Sequence, residues 1–239
     1  MRRTSSERLL IIKRRSSNEH DAIITALSPQ RGRLNLVARG LFKPQAKLAG
    51  HLEPLTVVDA LIVWGQRPLL SSASSRQSFG RLKNNLAAVV LASQIINRYQ
   101  RWCSVGQPIL ASWTDLITLL SDWDNSSIIA LPVLTSGAQV IQWRLASHLG
   151  YLPDLQHCAG CRRTITDGRW EIDQAGLFCQ TCRPTGLGQQ LSAEVINYWQ
   201  MALTADWLQL TKNPPSPTIL EQTSIFFNDW LNFLDYHVC

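Results

Sequence analysis

The chain lacks the short signatures that mark common enzymes: it has no P-loop and no G-x-S-x-G elbow. Of its 5 histidines, His20, His148 and His237 stand without companions that would make a ligand set or a general base, so they read as structural or surface residues. A non-enzymatic role without a small-molecule substrate is expected. Long apolar runs are missing too. Met1-Arg2-Arg3 is followed only by the short run Leu9 to Ile12, too brief for a signal-peptide core, and no stretch approaches the ~20 apolar residues of a membrane span. The expectation is a soluble, cytoplasmic chain with no membrane partner. Aromatics are scarce at one end: residues 1–83 contain only Phe42, Trp64 and Phe79.

Charge is present and unevenly spread. The formal net charge is +6, but residues 1–83 carry 15 Lys and Arg against 5 Asp and Glu, while the remainder carries 8 against 12. A basic first domain followed by a mildly acidic remainder points to a polyanion as the partner of the first.

Cysteine supplies the sharpest motif. Cys158-Ala159-Gly160-Cys161 and Cys179-Gln180-Thr181-Cys182 form the pattern C-x2-C-x17-C-x2-C. Each pair aims two thiolates at one point, and two pairs complete a closed tetrahedral site, structural rather than catalytic. Zinc held by Cys158, Cys161, Cys179 and Cys182 is therefore expected. Two disulfides, or one redox-active C-x-x-C, are the alternative, but a chain of this length without a secretory signal does not need a disulfide framework. Arg169 to Asp173 and Leu177 to Cys179 read as short strands joined by a turn at Gln174-Ala175-Gly176. Arg162, Arg163 and Arg183 flank the pairs and offset thiolate charge or extend an anion-binding surface.

The rest of the chain divides by period. Leu9 to Lys13, Ala22 to Leu27, Arg33 to Ala38, Leu55 to Trp64 and Leu69 to Ala73 read as five strands of a small barrel. Ser71 to Ser75 marks a change of texture. From Arg81 one amphipathic helix is expected, with Leu82, Leu86, Val89, Val90, Ile96, Tyr99 and Cys103 on its apolar stripe. Further helices are expected at Ile109 to Ser121 and Ser136 to Leu149, with Pro132 separating the latter from a turn at 128–131. A helix capped by Ser192 should run through Ala202, and a last one should start at Ser216-Pro217. Trp199, Trp207 and Trp230 are assigned to the core; Cys239 has no assignment.

Arg31-Gly32-Arg33-Leu34-Asn35-Leu36-Val37-Ala38-Arg39-Gly40, followed by Lys43 and Lys47, is the most pointed basic segment. Alternation sets Arg33, Asn35 and Arg39 opposite Leu34, Leu36 and Ala38, so cations line one strand face and its loop. Arg31, Arg33, Arg39, Lys43 and Lys47 are the candidate nucleic-acid contacts. With few aromatics, such a surface would grip phosphates and leave base edges free to pair.

Taken together, Gly32-Arg33, Ala38-Arg39-Gly40, Lys43, Lys47, Leu52-Glu53-Pro54-Leu55 and the late cysteine pairs with Gly176-Leu177-Phe178 resemble, in that order, the RecO family of bacterial recombination and repair proteins. The resemblance spans nearly the whole chain. It implies an α+β, multi-domain protein: an OB-fold β-barrel over residues 1–79, then a helical domain over 80–239 with a zinc ribbon inserted at 155–186. It also implies binding of single- and double-stranded DNA, annealing of complementary strands, and help in loading RecA. RecR and the C-terminal tail of single-stranded-DNA-binding protein are the implied partners, and the nucleoid is the implied location. Pro44-Gln45-Ala46 interrupts a basic run that is denser in the family, which implies weaker or more dispersed DNA contact.

Two other readings bear comparison. His51-Leu52-Glu53 with Cys158 and Cys161 has the flavour of a zinc deaminase, but His157 stands where that pattern wants Pro, and the second cysteine pair would be left without a purpose. A scaffold whose basic barrel holds RNA or an acidic protein, without annealing activity, is the alternative from another class.

Overall fold

The structure is a computed structural model, and it describes residues 3–126, 130–184, 188–205 and 215–237. By internal contacts the chain forms two compact units, Met1–Ser127 and Ile128–Cys239. Trp207 and Cys239 lie outside the described residues.

In the first unit five strands close a barrel in the order β1-β2-β3-β5-β4. They are β1 (Thr4–Ser16), β2 (Ala22–Ser28), β3 (Gly32–Ala38), β4 (Thr56–Val63) and β5 (Leu69–Gln77). Alternate residues, among them Ile24 and Ala26 of β2 and Leu34 and Leu36 of β3, fill the interior. The loop after β3 sends Leu41 and Leu52 into the same core.

The first strand is much longer than its apolar run. Its early half pairs with β4, from Thr4 opposite Val63 to Ile11 opposite Thr56, and its late half pairs with β2. A bulge between Ile11 and Lys13 bends it from one partner to the other. The polar ends carry no apolar alternation because the ladder, not burial, holds them. The same holds for Ser71 to Ser75. That run lies inside β5, paired with β4 from Leu61 to Val58, and does not mark a boundary.

The helix expected from Arg81 is two helices. Helix α1 (Gly80–Lys83) ends at Asn84, and α2 (Leu86–Trp102) starts afresh on Asn85, whose side chain caps the Ala88 amide at 3.1 Å. The restart shifts the buried face to Ala88, Ala92, Ile95, Ile96, Tyr99 and Trp102, leaving Leu86 80% exposed. Helix α3 (Leu110–Asn125) follows, and these helices belong to the first unit.

The start of β3 runs against the α2–α3 connection. Arg33 N–H donates to the Ser104 carbonyl, Gly106 N–H to that of Arg31, and Ile109 N–H to that of Pro29. Gly32 has φ +62°, and a Cβ there would stand 2.4 Å from the Ser104 oxygen. Both backbone shape and space demand glycine. Gly32→Ala is expected to cost about 2–4 kcal/mol, read as a lowered midpoint in urea unfolding; an unchanged midpoint would show that this junction yields freely.

In the second unit α4 (Leu131–Leu149), α5 (Ala193–Thr204) and α6 (Pro217–His237) surround an aromatic core. Pro132 sits in the first turn of α4, where its missing N–H has no intrahelical partner to lose, and the turn expected at 128–131 lies partly outside the described residues. Ser192 caps α5, as the sequence predicts. Trp143 lies 4.8 Å from both Trp199 and Trp230, and Trp199 stacks on Phe227 at 5.1 Å. The ribbon sheet has three strands, β7-β6-β8: β6 (Gly168–Glu171), β7 (Gly176–Phe178) and β8 (Gln189–Leu191). A 3-10 turn at Ile172–Gln174 cuts the first expected strand short, and β8 has too little apolar pattern to be seen in the sequence. Trp170 of β6 meets Phe226 of α6 edge-on at 4.9 Å, so the ribbon shares the helical core.

Candidate metal centre and nucleic-acid interface

Two backbone knuckles build the metal centre. In the first, Arg162 N–H donates to the Cys158 carbonyl at 2.8 Å and Cys158 N–H to that of Arg163 at 2.9 Å. In the second, the amides of Cys182 and Arg183 both donate to the Cys179 carbonyl. The knuckles meet where Cys179 N–H donates to Cys158 Sγ at 3.3 Å. At Gly160 a Cβ would come within 3.1 Å of Cys182 Sγ, so glycine permits the approach.

All four Sγ atoms lie within 4.8 Å of one another, and those of Cys161 and Cys179 are 3.8 Å apart. Sulfurs on the corners of a tetrahedron with metal–sulfur bonds of about 2.3 Å would be about 3.8 Å apart. The described cysteines are free thiols, not disulfides. Burial works against ionising Cys158, but backbone N–H groups of Cys179, Cys161 and Gly160 outweigh it and bring the thiol down to about 6. Cys182 is driven the other way, to about 12, by its hydrogen bonds with Cys161, Cys179 and Cys158. One thiolate is favoured and another opposed because the sulfurs crowd one another. A divalent cation at their centre removes that conflict, so the donor set fits a metal ion.

The histidines stay outside this cluster. His157 Nδ1 lies 3.0 Å from Asp154 Oδ2, and His51 Nδ1 lies 2.9 Å from Ser75 Oγ. Among the described residues the four cysteines alone form a metal-ligand group, which removes the deaminase pattern. Of the flanking cations, Arg183 pairs with Glu171 at 3.3 Å and lies over the Phe178 ring. Arg162 reaches Asp154 only at 3.9 Å, and Arg163 is exposed.

The five basic candidates of the barrel divide by environment. Arg31 pairs with the buried Glu7 at 2.9 Å and lies 4.5 Å over the Trp64 ring. Arg33 donates to the Gln100 carbonyl at 2.8 Å, in the last turn of α2. These two are engaged within the unit. Arg39, Lys43 and Lys47 are exposed, and among the described residues none of them makes an ion pair.

Strand register adds cations that the linear pattern did not single out. Lys13 stands opposite Thr25, which stands opposite Asn35; Arg15 stands opposite Ile23, and Ile23 opposite Val37. Ala22, Ile24 and Ala26 turn inward, so Ile23 and the buried Thr25 turn away from the barrel interior, and the exposed Lys13 and Arg15 with them. Arg14 donates to the Ala49 carbonyl at 3.3 Å and lies 5.9 Å over Phe42. The run Lys13-Arg14-Arg15 was visible in the sequence, but only pairing puts it on the same sheet as β3, one strand away across β2.

The loop bearing Lys43 is held to the β1–β2 turn. Gly40 N–H donates to Asp21 Oδ1 at 2.8 Å, and Phe42 N–H donates to the His20 carbonyl. The Gly40 amide and the Asn18 side chain keep the Asp21 carboxyl below the usual carboxylate range. At this end of the barrel opens a cleft of about 550 Å³, bordered by the β1–β2 turn, the end of β3 and the β4–β5 turn; Arg39 and Arg67 line it. In OB-type barrels this region and the adjoining sheet face carry the ligand.

Comparison with known proteins agrees with this layout. Residues 1–79 match the family described as "Recombination protein O N terminal", and residues 137–234 match "Recombination protein O C terminal". A protein of Dehalococcoides mccartyi strain CBDB1, named DNA repair protein RecO, is 24% identical over 190 residues, which cover 78% of this chain and 73% of that one. Proteins of the same name from Heliobacterium modesticaldum and Roseiflexus sp. are 28% and 27% identical, covering 73% and 72% of this chain and 64% and 60% of theirs.

Proposed function

The chain belongs to the RecO family, and from that premise we propose that it is a mediator of DNA repair and recombination, acting by binding rather than by catalysis. The observation that carries the reading is the line of exposed cations from Lys13 and Arg15 on β1 to Arg39, Lys43 and Lys47 beyond β3. Such a surface gains affinity from phosphates by counterion release, whatever the sequence. Arg31 and Arg33, tied to Glu7 and to α2, set the position of this surface.

Because the cations engage backbone, two strands held there lose mutual repulsion while most base edges stay free. This supports annealing of complementary single strands, and with it assistance to RecA on strands coated with single-stranded-DNA-binding protein. RecR and that protein's C-terminal tail are the proposed partners, and the cytoplasm, at the nucleoid, the proposed place. No described helix is long and apolar enough to cross a membrane. The proposed metal is one zinc ion on Cys158, Cys161, Cys179 and Cys182, since four thiolates select it among common divalent ions. It supports folding of the ribbon.

The test is the rate at which the protein anneals complementary oligonucleotides coated with single-stranded-DNA-binding protein, at low and moderate salt. Acceleration over the uncatalysed rate, falling with salt, is the expected result. Binding without acceleration would favour a scaffold instead.

A further inference from the structure

The cleft at the open end of the barrel has a composition that a plain phosphate-binding face does not need. Its apolar lining comes from Val37, Val63, Trp64 and Leu69. The Trp64 indole is fixed, with Nε1–H donating to Ser5 Oγ at 2.8 Å and Arg31 over its ring. Two cations, Arg39 and Arg67, line the same space, and a recess of about 470 Å³ beside it shares Asn18, Asp21 and Arg39 and adds Lys43.

A carboxylate, that of Asp21, lines the same cleft. Asp21 Oδ1 accepts from the Gly40 amide and Oδ2 from the Asn18 side chain at 3.1 Å, and each oxygen keeps a further lone pair. A carboxylate repels phosphate, and both groups only accept hydrogen bonds. What meets Asp21 must donate. On a polynucleotide the base donors are the exocyclic amines and the ring N–H groups of guanine and thymine, and carboxylates are suited to the cytosine N4 amine. Thymine instead presents carbonyl oxygens on either side of its single N–H, and these repel an anion. Four apolar side chains, an acceptor and two cations on one otherwise polar cleft match one nucleotide whose base has left its stack.

We propose that this cleft receives a single unstacked nucleobase carrying an exocyclic amine, with its flanking phosphates held by Arg39 and Arg67, so that the barrel favours cytosine over thymine. The inference rests on the reading of the barrel as a DNA binder and adds a base-reading subsite to it.

The test compares short oligodeoxycytidine, oligodeoxythymidine and an abasic oligomer of equal length by fluorescence anisotropy, at slightly alkaline pH and several salt concentrations, with the full chain. The deoxycytidine strand should bind about five- to tenfold more tightly than the other two. Asp21→Asn, which keeps an acceptor for the Gly40 amide, should shrink that preference to about twofold or less and leave the salt slope unchanged. Equal affinity of all three strands for the unmodified protein, with a steep salt slope, would overturn the base subsite and leave the DNA reading standing. Failure of all three to bind would overturn both. The comparison on the unmodified protein decides the matter even where the variant folds poorly.

Discussion

Replacement of Cys158 by Ser is expected to release the metal and unfold the ribbon, the largest single effect we anticipate. Cys158 is fully buried, and its sulfur accepts the amide that joins the two knuckles. The oxygen of serine is a poor substitute at neutral pH, and three remaining thiolates leave an open site. Structural zinc sites in small domains contribute about 10–16 kcal/mol of apparent binding energy, comparable with the whole stability of a typical domain, about 5–15 kcal/mol. The ribbon has three short strands and cannot make up such a loss. Trp170 would then leave Phe226, and water would reach the aromatic core of the second unit. Metal content per chain should fall to near zero, and tryptophan emission should shift to the red. The barrel, with its own core, should retain its strands. A Cys158→Ser protein with unchanged metal content and unchanged emission would refute the metal-dependent ribbon.

The second large effect concerns DNA. Joint replacement of Arg39, Lys43 and Lys47 by Ala should weaken binding about a hundredfold at moderate salt and lower the slope of log affinity against log salt by about 2–3. Each lost phosphate contact removes somewhat less than one released counterion, and among the described residues the three make no ion pair to complicate the substitution. Arg33→Ala should behave differently. Its guanidinium serves the Gln100 carbonyl, so stability should drop while the salt slope stays near that of the unmodified protein. Salt titrations by anisotropy, read beside thermal unfolding, separate the two behaviours. A triple variant with an unchanged slope would remove these residues from the interface.

The barrel, the capped helix α5, the proline-led helix α6 and the cysteine pairs were all legible in the sequence, and each for a local reason. Strands with one buried face alternate, as in Leu34 and Leu36 of β3. Ser192 and Pro217 act on the first turn of their own helices. The cysteine spacing specifies a knuckle without help from the rest of the chain. Where the reading failed, the deciding force was not local. The polar ends of β1 and the serines of β5 are strands because their neighbours supply hydrogen bonds. The break at Asn84-Asn85 replaced one apolar stripe by another, since Asn85 caps a new helix and resets its phase.

The candidate interface shows the same division. That residues 1–83 suit a polyanion follows from charge alone, and that the four cysteines are placed to hold one metal ion follows from spacing alone. Both are properties of residue type and chain proximity, which survive in any fold that keeps the segments intact. Which cations are free does not follow from the sequence. Arg31 and Arg33 look the same as Arg39 in the linear pattern, yet Glu7 takes one and the end of α2 the other. Lys13 and Arg15 join β3 only through β2, and Asp21 enters the cleft only because it ties the β1–β2 turn to Gly40. Partners distant in sequence are chosen by strand register and loop closure, and only the folded chain brings them within hydrogen-bonding reach.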